Sequence, residues 1–120
     1  MRFVIALCAL ILSAGVAWAA EQADPVGHYS VKGQNPSKAM YNGHVSVTKK
    51  GETYDVVWKI GGETITGVGI SVENNFSVAY QSGKDVGLAV YQKNPDGTWL
   101  GLWTIEGAGR VGLEQWQVAK

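Results

Sequence analysis

The sequence predicts an all-β domain in which eight short antiparallel strands follow one another in an up-and-down meander and close into a barrel. Three observations predict this fold. From residue 26 onward apolar residues alternate with polar ones, which is the period of half-buried strands. Short turn sequences separate these runs, and short turns join antiparallel neighbours. Glycines also occur inside the runs, where a tightly coiled sheet would need them to bend: Gly43, Gly67, Gly69, Gly87, Gly101 and Gly112.

The chain begins with a segment that reads as a secretory signal helix, residues 1–19. Arg2 supplies a positive start, Phe3 to Val16 is almost wholly apolar, and Ala17-Trp18-Ala19 has the small-x-small pattern of a cleavage site. The apolar run is shorter than the roughly 20 residues of a membrane-spanning helix. We therefore expect cleavage after Ala19 or Ala20, and a mature protein that has no membrane span and is periplasmic or secreted.

Residues 20–25 form a polar leader that we expect to be flexible, and residues 26–120 form the single barrel domain. The first two predicted strands, 26–33 and 40–49, carry apolar residues at odd positions, as at Val45 and Val47, and the third, 52–60, carries them at even positions, as at Trp58. The fifth and sixth strands, 75–82 and 85–93, carry them at even positions. In the fourth, seventh and eighth strands, 63–72, 98–105 and 109–118, both faces are partly apolar, so we expect both to be partly covered.

Residues that tolerate left-handed backbone or preset a tight turn lie between these strands. They are Lys50-Gly51, Gly61-Gly62, Asn74-Asn75, Gly83-Lys84, Asn94-Pro95-Asp96-Gly97 and Gly107-Ala108-Gly109. Only the connection from Gln34 to Ala39 is longer, and Pro36 marks it as a loop. Closing the meander into a barrel would remove both exposed sheet edges, which favours a barrel over an open sandwich.

The composition of the mature chain argues against some classes of partner. Without Arg2 the mature chain has nine basic and ten acidic residues and no long basic run, which argues against nucleic acid or an anionic membrane as the partner. Cys8 lies in the signal segment, so the mature domain has no cysteine and must be stable without disulfides. Aromatic residues are plentiful enough to supply the core.

No sequence motif indicates catalysis or a cofactor, and we predict a protein that is not an enzyme and has no cofactor or metal. The mature chain has no nucleophile elbow, zinc-binding helix, phosphate-binding loop or cysteine nucleophile. His28 and His44 could face each other on neighbouring strands, but two imidazoles fall short of the four ligands of structural zinc. Glu114 alternates with Gly112 and Trp116, so we expect a buried structural ion pair with Arg110 or a lysine rather than a catalytic acid.

The aromatic residues are the best candidates for binding. Inward-facing rings would fill the barrel or line a cavity for a small apolar ligand, whereas outward-facing rings would form a patch for a protein partner. The candidate ligand-binding or partner-binding residues are Trp58, Tyr80, Tyr91, Trp99, Trp103 and Trp116.

Several motifs carry a resemblance to known proteins. The run Tyr41-x-Gly43-x-Val45-x-Val47-x-x-x-Gly51-x-x-Tyr54-x-Val56-x-Trp58 is followed by Gly67-x-Gly69, Val78-x-Tyr80, Gly87-x-Ala89-x-Tyr91, Gly101-x-Trp103-Thr104 and Gly112-x-Glu114-x-Trp116. Together they resemble a family of short exported bacterial β proteins, mostly uncharacterised, some of which are labelled fibronectin-binding. In architecture the chain is also similar to the calycin-like barrels of lipocalins and avidins, with Gly27-His28-Tyr29 in place of their Gly-x-Trp. The polar residues with which avidins hold biotin are not matched.

These observations predict an exported, non-enzymatic binding protein built on a small β-barrel. Its partner would be an extracellular or periplasmic protein, with fibronectin implied by the family resemblance alone, or a small apolar ligand. The alternative is a periplasmic enzyme inhibitor, or an enzyme that uses the barrel as a scaffold.

Overall fold

A computed structural model describes residues 22–119 of the chain. The predicted signal helix and cleavage site lie outside the described residues. Eight strands make up the fold: β1 (Gly27–Gln34), β2 (Met40–Lys50), β3 (Thr53–Ile60), β4 (Glu63–Val72), β5 (Asn75–Ser82), β6 (Asp85–Lys93), β7 (Trp99–Ile105) and β8 (Gly112–Val118).

The strands form one closed antiparallel barrel in which each strand pairs with its neighbours in sequence, so the predicted all-β, up-and-down, eight-stranded barrel is confirmed. The closing seam joins β1 to β8, with Val31 opposite Trp116 and Tyr29 opposite Val118. Since both outer strands of the meander are paired, neither is left as an exposed edge. No helix between residues 22 and 119 is long and apolar enough to cross a membrane.

The predicted boundaries of β4, β5 and β6 agree with the structure, and the last strand differs most. We predicted a start at Gly109, but β8 begins at Gly112. Gly107 and Gly109 have φ values of 87° and 65°, so the chain turns through left-handed backbone here and cannot yet pair as a strand.

The core of the barrel is aromatic and β-branched. Trp116 lies near its centre, with its ring centroid 4.1 Å from that of Tyr91 and 5.4 Å from that of Tyr29. Phe76 and Trp58 contact the same indole edge-on at 6.2 Å and 6.3 Å. Aromatic pairs in these geometries contribute about 0.5–1.5 kcal/mol beyond the area they bury. The buried core residues are Tyr29, Val31, Val45, Val47, Tyr54, Val56, Trp58, Phe76, Val78, Ala89, Tyr91, Trp99 and Trp116.

Glycines within the strands make room for rings on the neighbouring strand. Gly87 lies directly opposite Tyr80, and Gly112 lies opposite Trp103. A Cβ atom at either glycine would overlap the facing ring. Gly69 and Gly101 likewise lie against the rings of Phe76 and Tyr91, whereas Gly43 and Gly67 lie against backbone carbonyls and aliphatic side chains. Four of the six interior glycines therefore make room for large rings on the inner wall.

One end of the barrel is closed by the segment before β1. The backbone N–H of Ala23 donates to Glu73 O at 2.8 Å, and Ser71 Oγ donates to Ala23 O at 3.2 Å. Pro25 is buried, and its carbonyl accepts a hydrogen bond from the Tyr29 hydroxyl at 2.8 Å. Residues 22–25, for which we expected a flexible leader, thus lie across the end of the barrel that holds Phe76 and Trp99.

Candidate functional site

The opposite end of the barrel opens into a cavity of about 460 Å³. The connections β1–β2, β3–β4, β5–β6 and β7–β8 surround this open end. The cavity is lined by five aromatic residues, Tyr41, Trp58, Tyr80, Tyr91 and Trp103, with Ile60, Ile65 and Ile105, Gly61, the polar Asn35 and Ser82, and the carboxylates Glu63 and Glu114. Its volume is within the range of pockets that hold small molecules.

Glu114 lies at the inner end of this cavity and is 5% exposed. Its Oε2 accepts hydrogen bonds from Tyr91 Oη at 2.6 Å, Trp116 Nε1 at 2.8 Å and Trp58 Nε1 at 2.9 Å. Its Oε1 accepts one from Tyr41 Oη at 2.6 Å. Donors from β2, β3, β6 and β8 itself therefore converge on a single carboxylate.

This donor set suits an ionised carboxylate. An indole N–H can only donate, and an ionised carboxylate only accepts. Charge-assisted hydrogen bonds are shorter and stronger than neutral ones, and they offset part of the desolvation cost of burying a charge. Among the described residues no buried side-chain nitrogen or oxygen lacks a hydrogen-bond partner, so the network is complete without a ligand.

The phenols around the cavity remain protonated donors far into the alkaline range. Burial, and next the negative charge of Glu114, raise the pKa of Tyr80 to about 12. The same two causes, in the same order, raise the pKa of Tyr41 and of Tyr91 well above the usual value for tyrosine. Each of these hydroxyls can therefore donate a hydrogen bond at neutral pH.

The walls of the open end are held in place by further contacts. Tyr80 Oη donates to Thr104 O at 2.9 Å, and Trp103 Nε1 donates to Leu113 O at 3.4 Å. The rings of Tyr41 and Trp103 meet edge-on with centroids 6.3 Å apart. Side chains fixed in this way pre-organise a cavity, which lowers the entropy cost of binding.

The six candidate binding residues do not form one site. Trp58, Tyr80, Tyr91 and Trp103 line the open cavity. Trp116 lies beneath it in the middle of the barrel, and Trp99 packs edge-on against Phe76 towards the closed end. None of the six lies on the outer wall: Trp58, Tyr91, Trp99 and Trp116 are buried, and Tyr80 and Trp103 are partly buried against the core.

Sequence reasoning missed two residues of the site. Tyr41 was not among the candidates, although its odd position in β2 places it on the inner face. Glu114 was expected to pair with Arg110 or a lysine, and this was wrong: the Arg110 guanidinium donates to Pro36 O at 2.6 Å, in the loop between β1 and β2. The glycine and tryptophan that alternate with Glu114 were the available signal that this carboxylate faces inward.

The two histidines lie on the outer wall. His28 Nδ1 lies 2.9 Å from Ser46 Oγ, within hydrogen-bonding distance. His44 is exposed on the neighbouring strand, opposite Ser30. Between residues 22 and 119 no group of three or more metal-ligating side chains comes together.

The outer wall is divided between two kinds of surface. On β1, β2 and β3 the outward side chains include charged residues such as Lys32, Asp55 and Lys59. On β4 to β8 the outward side chains are all uncharged, and many are aliphatic and close to half exposed. These aliphatic residues are Val68, Ile70, Val72, Val86, Leu88, Val90, Leu100, Leu102 and Leu113.

Comparison with known proteins adds no assignment, since no family model and no curated protein matches this sequence. The geometry of the barrel therefore carries the functional argument. It supplies a pre-formed, mainly apolar cavity that opens to solvent at one end, with a buried carboxylate at its inner end.

Proposed function

We propose that the protein is an exported, non-enzymatic barrel that binds a small, largely apolar ligand through its open end. The observation that supports this most directly is the difference between the two ends. One end is filled by Phe76 and Trp99 and covered by residues 22–25, whereas the other holds a cavity large enough for a small molecule. A barrel with only a structural role would gain stability by filling both ends.

The position of the aromatic residues favours a small ligand over a protein partner at this site. Their rings face the inside of the barrel, where a ligand can contact them and the surface of a folded protein cannot. A protein partner, including the fibronectin implied by the family resemblance, would have to contact other residues. Export through a cleaved signal peptide to the periplasm or the medium remains part of the proposal.

Ligand binding can be tested by filling the cavity. Ile65 lies on its wall, directly opposite Trp58 on β3, and Thr64 is its outward-facing, exposed neighbour. A library of small aromatic and aliphatic compounds would be screened against the mature protein through the NMR signals of the Trp58 and Trp103 indole N–H groups. Compounds that shift these signals should fail to do so with Ile65→Trp, which blocks the cavity, and should still bind Thr64→Trp.

Two results would contradict the proposal. If compounds bind Ile65→Trp as well as they bind the wild-type protein, the cavity is not their site. If no compound in the screen produces a saturable shift of the cavity signals, the open end is not a binding site for small apolar molecules.

A further inference from the structure

We propose that the ligand of the open end carries a positive charge on an apolar body, as a small organic ammonium ion does. This inference rests on the proposed function and adds the chemical class of the ligand. It follows from the charges on the cavity wall, from the position of the Glu114 carboxylate at its inner end, and from the rings that surround it.

The charges on the cavity wall all have one sign. Glu114 at the inner end and Glu63 at the rim both line the cavity, and no lysine, arginine or histidine is among the residues that line it. A low-dielectric cleft lined by one sign of charge concentrates ligands of the opposite sign. An anionic ligand would face two carboxylates with no cation to compensate for the loss of its hydration.

The two oxygens of Glu114 are unequally hydrogen-bonded. Oε2 accepts three hydrogen bonds, but Oε1 accepts only the one from Tyr41. These four hydrogen bonds match the roughly four acceptor positions of a carboxylate, so Glu114 would attract a ligand cation chiefly through its negative charge. Tyr41 is only partly buried, and a cationic group of the ligand can approach the less crowded Oε1 beside it.

The rings around the cavity favour the same charge. Tyr41, Tyr80, Trp58 and Trp103 present aromatic surface to the cavity, and an aromatic face attracts a cation within about 6 Å of its centre. Desolvated contacts of this kind strengthen binding by roughly tenfold or more. An organic cation fits this site better than a metal ion does. Ile60, Ile65 and Ile105 form an aliphatic wall, and between residues 22 and 119 no three metal-ligating side chains come together.

The test compares three compounds of similar size and different charge: 2-phenylethylammonium, 2-phenylethanol and phenylacetate. Each is titrated into the mature protein at neutral pH, and the Trp58 and Trp103 indole N–H signals report binding. We expect the ammonium compound to bind at least about tenfold more tightly than the alcohol, and phenylacetate to bind most weakly. Glu114→Gln should reduce the preference for the ammonium compound to near one, and Glu63→Gln should retain most of it.

The outcomes separate this inference from the proposed function. If the alcohol or phenylacetate binds as tightly as the ammonium compound, the charge preference is refuted and the cavity remains a ligand site. If none of the three compounds shifts the cavity signals of the wild-type protein but compounds of the library do, the inference fails and the proposed function stands; if no compound of either set binds, both fail. The comparison among the three ligands uses the wild-type protein, so the inference stays falsifiable even if Glu114→Gln does not fold.

Discussion

Replacing Glu114 with leucine removes the acceptor that four hydrogen-bond donors share. Trp58 and Trp116 are 3% and 0% exposed, and the acceptor of both indole N–H groups is Glu114 Oε2. Each buried donor left without a partner costs about 1–3 kcal/mol. The hydroxyls of Tyr41 and Tyr91 can rotate, and losing the charged carboxylate returns part of its desolvation cost. We expect a net loss of about 2–4 kcal/mol in the free energy of unfolding, or roughly 10–25 °C in Tm for a domain of this size.

Thermal and urea unfolding, followed by tryptophan fluorescence and near-ultraviolet circular dichroism, would measure this loss. The matched control is Glu63→Leu, which removes an exposed carboxylate from the rim of the same cavity and should change stability by less than about 0.5 kcal/mol. Glu114→Gln keeps one acceptor oxygen and should fall between the two. If Glu114→Leu is as stable as the wild-type protein, the converging donors do not depend on this carboxylate, and the network is not a source of stability.

Two further predictions concern single positions, and a third concerns the pH dependence of stability. Gly87→Ala places a methyl group against the ring of Tyr80 and should cost about 1–3 kcal/mol, measured by urea unfolding, whereas Val86→Ala on the exposed face should be nearly neutral. Tyr91→Phe should destabilise the protein more than Tyr41→Phe, because Tyr91 is 1% exposed and water can replace the lost hydrogen bond only at the open end; equal costs would contradict this. Stability should fall as the pH rises above about 10, the usual pKa of tyrosine, and through 12, the pKa of folded Tyr80. The reason is that the unfolded chain loses these phenolic protons first, and absorbance of the phenolate together with circular dichroism would show whether ionisation and unfolding occur together.

The strands could be predicted from the sequence because each depends on local signals. Alternation of apolar and polar residues marks β5 and β6 clearly, and Gly61-Gly62 or Gly83-Lys84 marks the turn between neighbours. Each of these signals spans only a few residues, so it can be recognised without knowledge of the rest of the fold. The start of β8 was misplaced because Gly109 is compatible with both a turn and a strand interior.

The hydrogen-bond network around Glu114 could not be predicted in the same way. Its donors Tyr41, Trp58 and Tyr91 lie on strands that are not adjacent to β8, and their meeting depends on the register around the whole barrel. The sequence could have predicted that the tryptophans divide between the two ends of the barrel. Trp99 is the first residue of β7 and Trp103 lies near its end, so the two side chains lie towards opposite ends. Position along a strand therefore carries information that alternation alone does not.

The seam between β1 and β8 also has a consequence for how the protein is made. Tyr29 and Val118 pair across nearly the full length of the domain, and contacts between such distant parts of a chain slow folding. While the ribosome is still synthesising the chain, the C-terminal strand that closes the ring and carries Glu114 is missing. The nascent polypeptide therefore lacks both its final pairing partner and the acceptor for its indoles and phenols, and the closed barrel can form only after β8 has been synthesised. A chain whose barrel closes this late is compatible with any translocation step that requires an unfolded polypeptide.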